Sequence, residues 1–142
     1  MSIGLVGKSP VAVFDDAEQE NAINGITAGI FGASGQSCIA GSRLYIQKGI
    51  YNEFLDKLSK RASKIKIGAP MDVETEMGPL SNFKQLETIE RNIKDTIDQG
   101  GKIKCGGKRD SSIFLTKIAP DLSLSKVLVS VTVNKAIFTS II

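Results

Sequence analysis

Phe31-Gly-Ala-Ser-Gly-Gln-Ser-Cys-Ile-Ala-Gly-Ser-Arg43 is the stretch around which the chain is organised. It sets Cys38 in a turn of small residues between a helical pattern and a strand pattern. Gly32, Gly35 and Gly41 let the backbone bend tightly and come close to a ligand. Ile39 apart, the residues nearest the thiol are small, so the turn has the composition of a nucleophile loop.

Upstream, Pro10–Phe14 is short, apolar and β-branched, which predicts a buried strand. Asp16 is placed to cap a helix, with Gln19 as its capping-box partner. That helix is expected from Ala17 to Phe31, with Ile23, Ile26 and Ile30 inward. Gly25 and Gly29 inside it cost about 1 kcal/mol each relative to alanine. They suggest another backbone packed closely against the helix or, at Gly29, a frayed helix end.

Downstream, Arg43–Gln47 alternates like a strand, and Tyr51–Ile65 has the spacing of an amphipathic helix. Gly68 and Pro70 stop it. A long connection containing Met77-Gly-Pro-Leu80 leads to a second helix over about Asn82–Gln99, with Phe83, Leu86, Ile89, Ile93 and Ile97 inward. Gly100-Gly101 ends that helix, and Lys102–Cys105 reads as a strand. This order predicts an α/β fold, a mostly parallel sheet flanked by helices. Residues 111–142 differ in character, with strand patterns at Phe114–Ile118 and Val127–Val133. The expected organisation is residues 1–110 as the main body and 111–142 as a divergent β-rich tail of the same domain.

Composition narrows the function classes. The 142 residues suit one domain, and 42% hydrophobic with 23% charged residues fits a globular protein. A net charge of +3 is spread out, so neither nucleic acid nor a membrane is an expected partner. The densest positive run, residues 57–66, reads as the outer face of a helix. No apolar run approaches the roughly 20 residues needed to span a bilayer. Two cysteines and no secretory signal lead to the expectation of a reducing, cytoplasmic home. With no histidine, Ser-His-Asp and Cys-His catalysis and histidine metal sites are excluded within these residues, and no metal site is expected.

A thiolate at Cys38 can attack carbonyl carbon, thioesters or disulfides. On the residues alone it is either that nucleophile or an inert buried thiol. Cys105, within a strand pattern, reads as a small core residue. Gly100-Gly101 and Gly106-Gly107 do not open helices, so they are turns and not a dinucleotide fingerprint.

The stretch Phe31-x-x-x-Gly35-Gln36-x-Cys38-Ile39-Ala40-Gly41-Ser42-Arg43 resembles the cysteine signature of the NAD(P)-dependent aldehyde dehydrogenase superfamily. Gly7-Lys-Ser-Pro10 is similar to the end of the family's Glu-Leu-Gly-Gly-Lys-Ser-Pro segment, and Thr75-Glu-Met-Gly-Pro-Leu80 to its Met-Gly-Pro-Leu connection. Gln85–Gly107 resembles the helix and glycine-ended strand that follow, so the resemblance covers about residues 3–110. It implies a partial catalytic domain in which Cys38 attacks an aldehyde to form a thiohemiacetal. Hydride then passes to NAD or NADP, and a glutamate activates water to hydrolyse the thioester. Gln85 matches a position that contacts the cofactor ribose in relatives; alternatively it helps cap its own helix.

Three departures bear on this. The family's water-activating glutamate aligns with Gly4, and Val6 replaces a family glycine. A glycine cannot accept a proton, so hydrolysis loses its general base. Residues 111–142 do not show the family's Glu-Ile-Phe-Gly-Pro segment. The family's cofactor domain would precede residue 1. Two functions follow as expectations: an aldehyde dehydrogenase catalytic fragment, incomplete and inactive by itself, or a non-catalytic remnant or interaction module retaining a reactive thiol. An aldehyde substrate, a homo-oligomer, and a partner supplying the missing cofactor domain are the implied associations.

Overall fold

The computed structural model describes residues 9–80, 83–108, 127–133 and 136–141. Along the chain run β1 (Pro10–Val13), α1 (Gln19–Phe31), β2 (Arg43–Ile46), α2 (Tyr51–Ser63), α3 (Phe83–Asp98), β3 (Lys102–Gly106), β4 (Val127–Val133) and β5 (Ala136–Ile141). Short 3-10 turns at Gly32–Gly35 and Lys48–Ile50 follow α1 and precede α2. The strands form one sheet in the order β1-β2-β5-β4-β3.

β1 and β2 pair in parallel, Pro10 opposite Arg43 and Val13 opposite Ile46, with α1 as the crossover between them. The other three pairings, β2·β5, β5·β4 and β4·β3, are antiparallel. The class is α/β, as expected, but among the described strands only β1 and β2 pair in parallel, so parallel pairing does not dominate this sheet. The reason is the tail: β4 and β5 are joined by a two-residue link, which permits only antiparallel pairing, and this hairpin lies between β2 and β3.

The main core gathers Val13, Ile23, Ile26, Ile30, Phe31, Leu44, Phe54, Leu55 and Leu58 with Ala40 and Met77. Phe54, Leu44 and Leu58 are fully enclosed. Cys105 packs against this cluster half-buried, matching its reading as a small core residue. A second cluster joins Leu80 to Leu86, Ile89 and Ile93 of α3, with Ile103 against it. Lys57 and Lys60 of α2 and Lys64 just past its end are exposed, whereas Arg61 is half-buried.

The structure corrects several local expectations. The N-cap of α1 is Glu18, not Asp16: its carboxylate accepts from the Glu20 N–H at 3.2 Å and the Asn21 N–H at 2.7 Å. Asp16 sits in the preceding turn, which the Ala17 N–H closes onto the Phe14 carbonyl. Phe14 lies past the end of β1 and is exposed. Gly25 and Gly29 occupy the open side of α1 with no atom within 4 Å of where a Cβ would stand, so no second backbone packs there among the described residues. Phe83 and Ile97 are 44% and 49% exposed, because α3 packs through its middle and its ends overhang the small cluster. The strand expected at Phe114–Ile118, the helix start at Asn82, and the departures at Gly4 and Val6 lie outside the described residues.

Candidate functional site

Cys38 lies between the 3-10 turn that ends α1 and the start of β2. The chain leaves α1 through an unusual sequence of conformations. Ala33 (φ 51°), Ser34 (φ 55°) and Gly35 (φ 73°) are consecutively left-handed. That conformation suits glycine and costs an L-residue roughly 1 kcal/mol or more. The Gln36 N–H then donates to the Ala33 carbonyl at 3.1 Å, as does its side-chain amide at 3.3 Å.

A β-turn follows, closed by the Ala40 N–H on the Ser37 carbonyl at 3.1 Å. Cys38 and Ile39 are its two corner residues, and both are exposed. Among the described residues no acceptor pairs with the Cys38 backbone N–H. Ala40 is buried in the main core and pins the far end of the turn. Gly41 lets the chain pass β1 closely: a Cβ there would stand 2.5 Å from Cγ2 of Val11. The loop therefore presents a thiol to solvent on a frame fixed at both ends, with a peptide N–H on the same residue.

Two stretches singled out from sequence meet here. The Ser34 hydroxyl donates to the Gly78 carbonyl at 2.7 Å, linking the cysteine loop to the Met77-Gly-Pro-Leu80 segment. Met77 and Leu80 on either side are buried in the two different clusters. Sequence reasoning missed Ser34 itself; a serine in a small-residue run carries no signal of a partner 44 positions away. Gln85 is exposed on the first turn of α3. It rides on the second cluster, whereas the Cys38 loop rests on the first, so these two candidates belong to separate packing units.

Glu76 forms a second polar junction. One carboxylate oxygen accepts from the Arg61 guanidinium at 3.0 Å and the other from the Lys66 N–H at 3.0 Å. The Lys66 amide first, and then Arg61, hold the Glu76 carboxyl below the usual carboxylate range. Open grooves run between α1 and α2, one lined by Thr27, Phe31, Arg61 and Glu76 and the other by Glu18, Ile23 and Lys57; neither includes Cys38 or Gln85. Among the described residues no three His, Cys, Asp or Glu side chains are grouped to hold a metal, and no helix is long and apolar enough to cross a membrane.

A parallel strand–helix–strand unit that delivers an exposed cysteine on a glycine-rich turn defines an α/β domain of thiol-bearing type. The aldehyde dehydrogenase family model matches residues 1–119, and the chain belongs to that family. It is 46% identical over 108 residues to (Z)-2-((N-methylformamido)methylene)-5-hydroxybutyrolactone dehydrogenase of Acinetobacter baylyi, covering 76% of this chain and 22% of the relative. To the NADP(+) succinate-semialdehyde dehydrogenase GabD of Escherichia coli it is 37% identical over 125 residues, 86% of this chain and 26% of the relative. Among solved structures, an NAD+ complex of aldehyde dehydrogenase from Bacillus cereus superposes with a TM-score of 0.78 at 34% identity, covering 92% of this chain and 25% of that one. The chain thus spans about a quarter of the length of these relatives.

Gln85, the residue the resemblance assigns to the ribose, stands exposed on a helix and lines neither of the two grooves.

Proposed function

We propose that Cys38 is a nucleophile toward an aldehyde carbonyl, contributing to an aldehyde oxidation of the family's type that uses NAD or NADP. The observation that carries this is the exposed Cys38 at the corner of a turn, with its own N–H unpaired among the described residues. The thiolate sulfur forms a bond to the carbonyl carbon. The C=O π pair moves to oxygen, where the Cys38 N–H can steady it, and the oxygen takes a proton from water to give a thiohemiacetal. Gln85 is proposed as a cofactor contact that acts only when further protein surrounds it.

Gly4 stands where relatives carry the water-activating glutamate, so an acyl group on Cys38 persists. On this reading the 142 residues perform the thiol step and do not complete the oxidation unaided. Residues 1–110 form the catalytic fragment and 111–142 a divergent tail of the same domain. The proposed associations are an aldehyde and a second copy of the chain; the proposed compartment is the cytoplasm. A second reading, a non-catalytic remnant with a reactive thiol, is favoured specifically by Gly4.

The test is an ester-acylation experiment on the purified chain. With p-nitrophenyl acetate, a burst of p-nitrophenolate approaching one equivalent is expected, with the acetyl group found on Cys38 by peptide mass spectrometry. No burst, or acetylation of Cys105 to the same extent, overturns the nucleophile assignment. Formation of NADH or NADPH from an aldehyde by these 142 residues alone overturns the claim that they stop at the thiol step.

A further inference from the structure

We infer that Ser34 is a positioning residue for Cys38: its hydrogen bond to the Gly78 carbonyl holds the left-handed turn that aims the Cys38 N–H. The inference rests on the proposed role of Cys38 and adds to it a specific device.

Ala33 and Ser34 both occupy a conformation that L-residues rarely adopt, and they do so in succession. Such strain persists only where surrounding contacts over-determine it. Gly35 tolerates its own φ, but Ala33 and Ser34 need a restraint from outside the turn. The Ser34 hydroxyl supplies one, 2.7 Å from Gly78, at a partly buried site. The acceptor is itself well fixed, because Met77 is buried on one side and Leu80 on the other. Four residues further on, the thiol needs no help to be reachable, since Cys38 is already exposed. The direction of its N–H does depend on the turn, and that direction matters only when charge develops on an attacked carbonyl oxygen. The bond should therefore affect acyl transfer to Cys38 much more than simple alkylation of the same thiol.

The experiment compares wild type, Ser34→Ala and Ser34→Gly with two reagents. In acylation by p-nitrophenyl acetate the Cys38 thiolate bonds to the carbonyl carbon, the ester C–O bond breaks, and p-nitrophenolate leaves with the electron pair. In alkylation by iodoacetamide the thiolate displaces iodide and no oxyanion forms. Ser34→Ala is expected to slow acylation about five-fold, the effect of one lost hydrogen bond, while Cys38 alkylation stays within about two-fold and Cys105 labelling reports an unchanged fold. Glycine accepts the left-handed conformation without strain, so Ser34→Gly should recover part of that loss; Ser34→Ala acylating at the wild-type rate overturns the tether. An equal fall in acylation and alkylation also overturns it, because the loop would then have collapsed. If wild type is not acylated at all, the nucleophile assignment fails and this inference falls with it.

Discussion

Glu76 grips Arg61 across the gap between α2 and the following loop, 3.0 Å from guanidinium to carboxylate, while its other oxygen holds the Lys66 N–H. This closes residues 66–77 into a compact excursion, with the Gly68 N–H returning to the Met77 carbonyl. The Glu76 carboxyl lies below the usual range in the folded chain, so its contribution is complete above that range and is lost as pH falls through the lowered value. Its side chain is 43% exposed, so solvent screening limits the contribution to about 1 kcal/mol or less. Glu76→Gln should lower the amide-exchange protection factors of Gly68 and Met77 at neutral pH, and acidification of the wild type should lower them likewise once the intrinsic pH dependence of exchange is divided out. Protection factors indifferent to both changes would remove the carboxylate from this role.

Gly41 passes Val11 so closely that Gly41→Ala should destabilise the chain by about 1–3 kcal/mol, the usual range for overpacking. The obstruction is Cγ2 of Val11, so Val11→Ala removes it. In the double variant the added methyl group should cost at least about 1 kcal/mol less than in the wild-type background, measured by urea unfolding. Simple additivity would show that the two residues do not meet.

The two thiols should be distinguishable by rate. Cys38 is exposed, and Cys105 is half-buried against the main core. Under native conditions iodoacetamide should label Cys38 about ten-fold faster or more, since Cys105 reacts only as β3 loosens. In denaturant the difference should disappear. Equal native rates would mean that β3 does not shelter its thiol.

The sequence made much of this geometry legible where periodicity was strong. Phe54, Leu55, Leu58 and Ala62 on α2, and Leu86, Ile89 and Ile93 on α3, are buried as their spacing requires. The crossover from β1 to β2 follows from two apolar runs flanking a helix. Caps were less legible, because Glu18 and Asp16 are both acidic residues before the same helix, and only geometry selects the longer side chain. The hairpin's place in the sheet was hidden for a different reason: Val127–Val133 reads as a strand, but alternation does not name its neighbour. The Cys38 loop was visible through its glycines and family motif, whereas the Ser34–Gly78 bond depends on a chain reversal that no local pattern encodes.

The hairpin itself provides a decisive truncation. The family match ends at residue 119, yet β4 and β5 occupy the middle of the sheet, with Tyr45 opposite Phe138 on one side and Ile103 opposite Val129 on the other. A chain ending at residue 126 strips β2 of its antiparallel neighbour and β3 of the partner it has among the described strands. Both strands then expose rows of unpaired N–H and C=O groups, which recruit other chains. The truncated chain should lose more strand signal in circular dichroism than β4 and β5 themselves contribute, and should self-associate on size-exclusion chromatography. Amide exchange at Leu44 and Tyr45 should rise together with that at Ile103, because one hairpin holds both. A truncated chain that stays monomeric, with β2 and β3 protected as in the intact protein, would show that the tail is dispensable to the sheet.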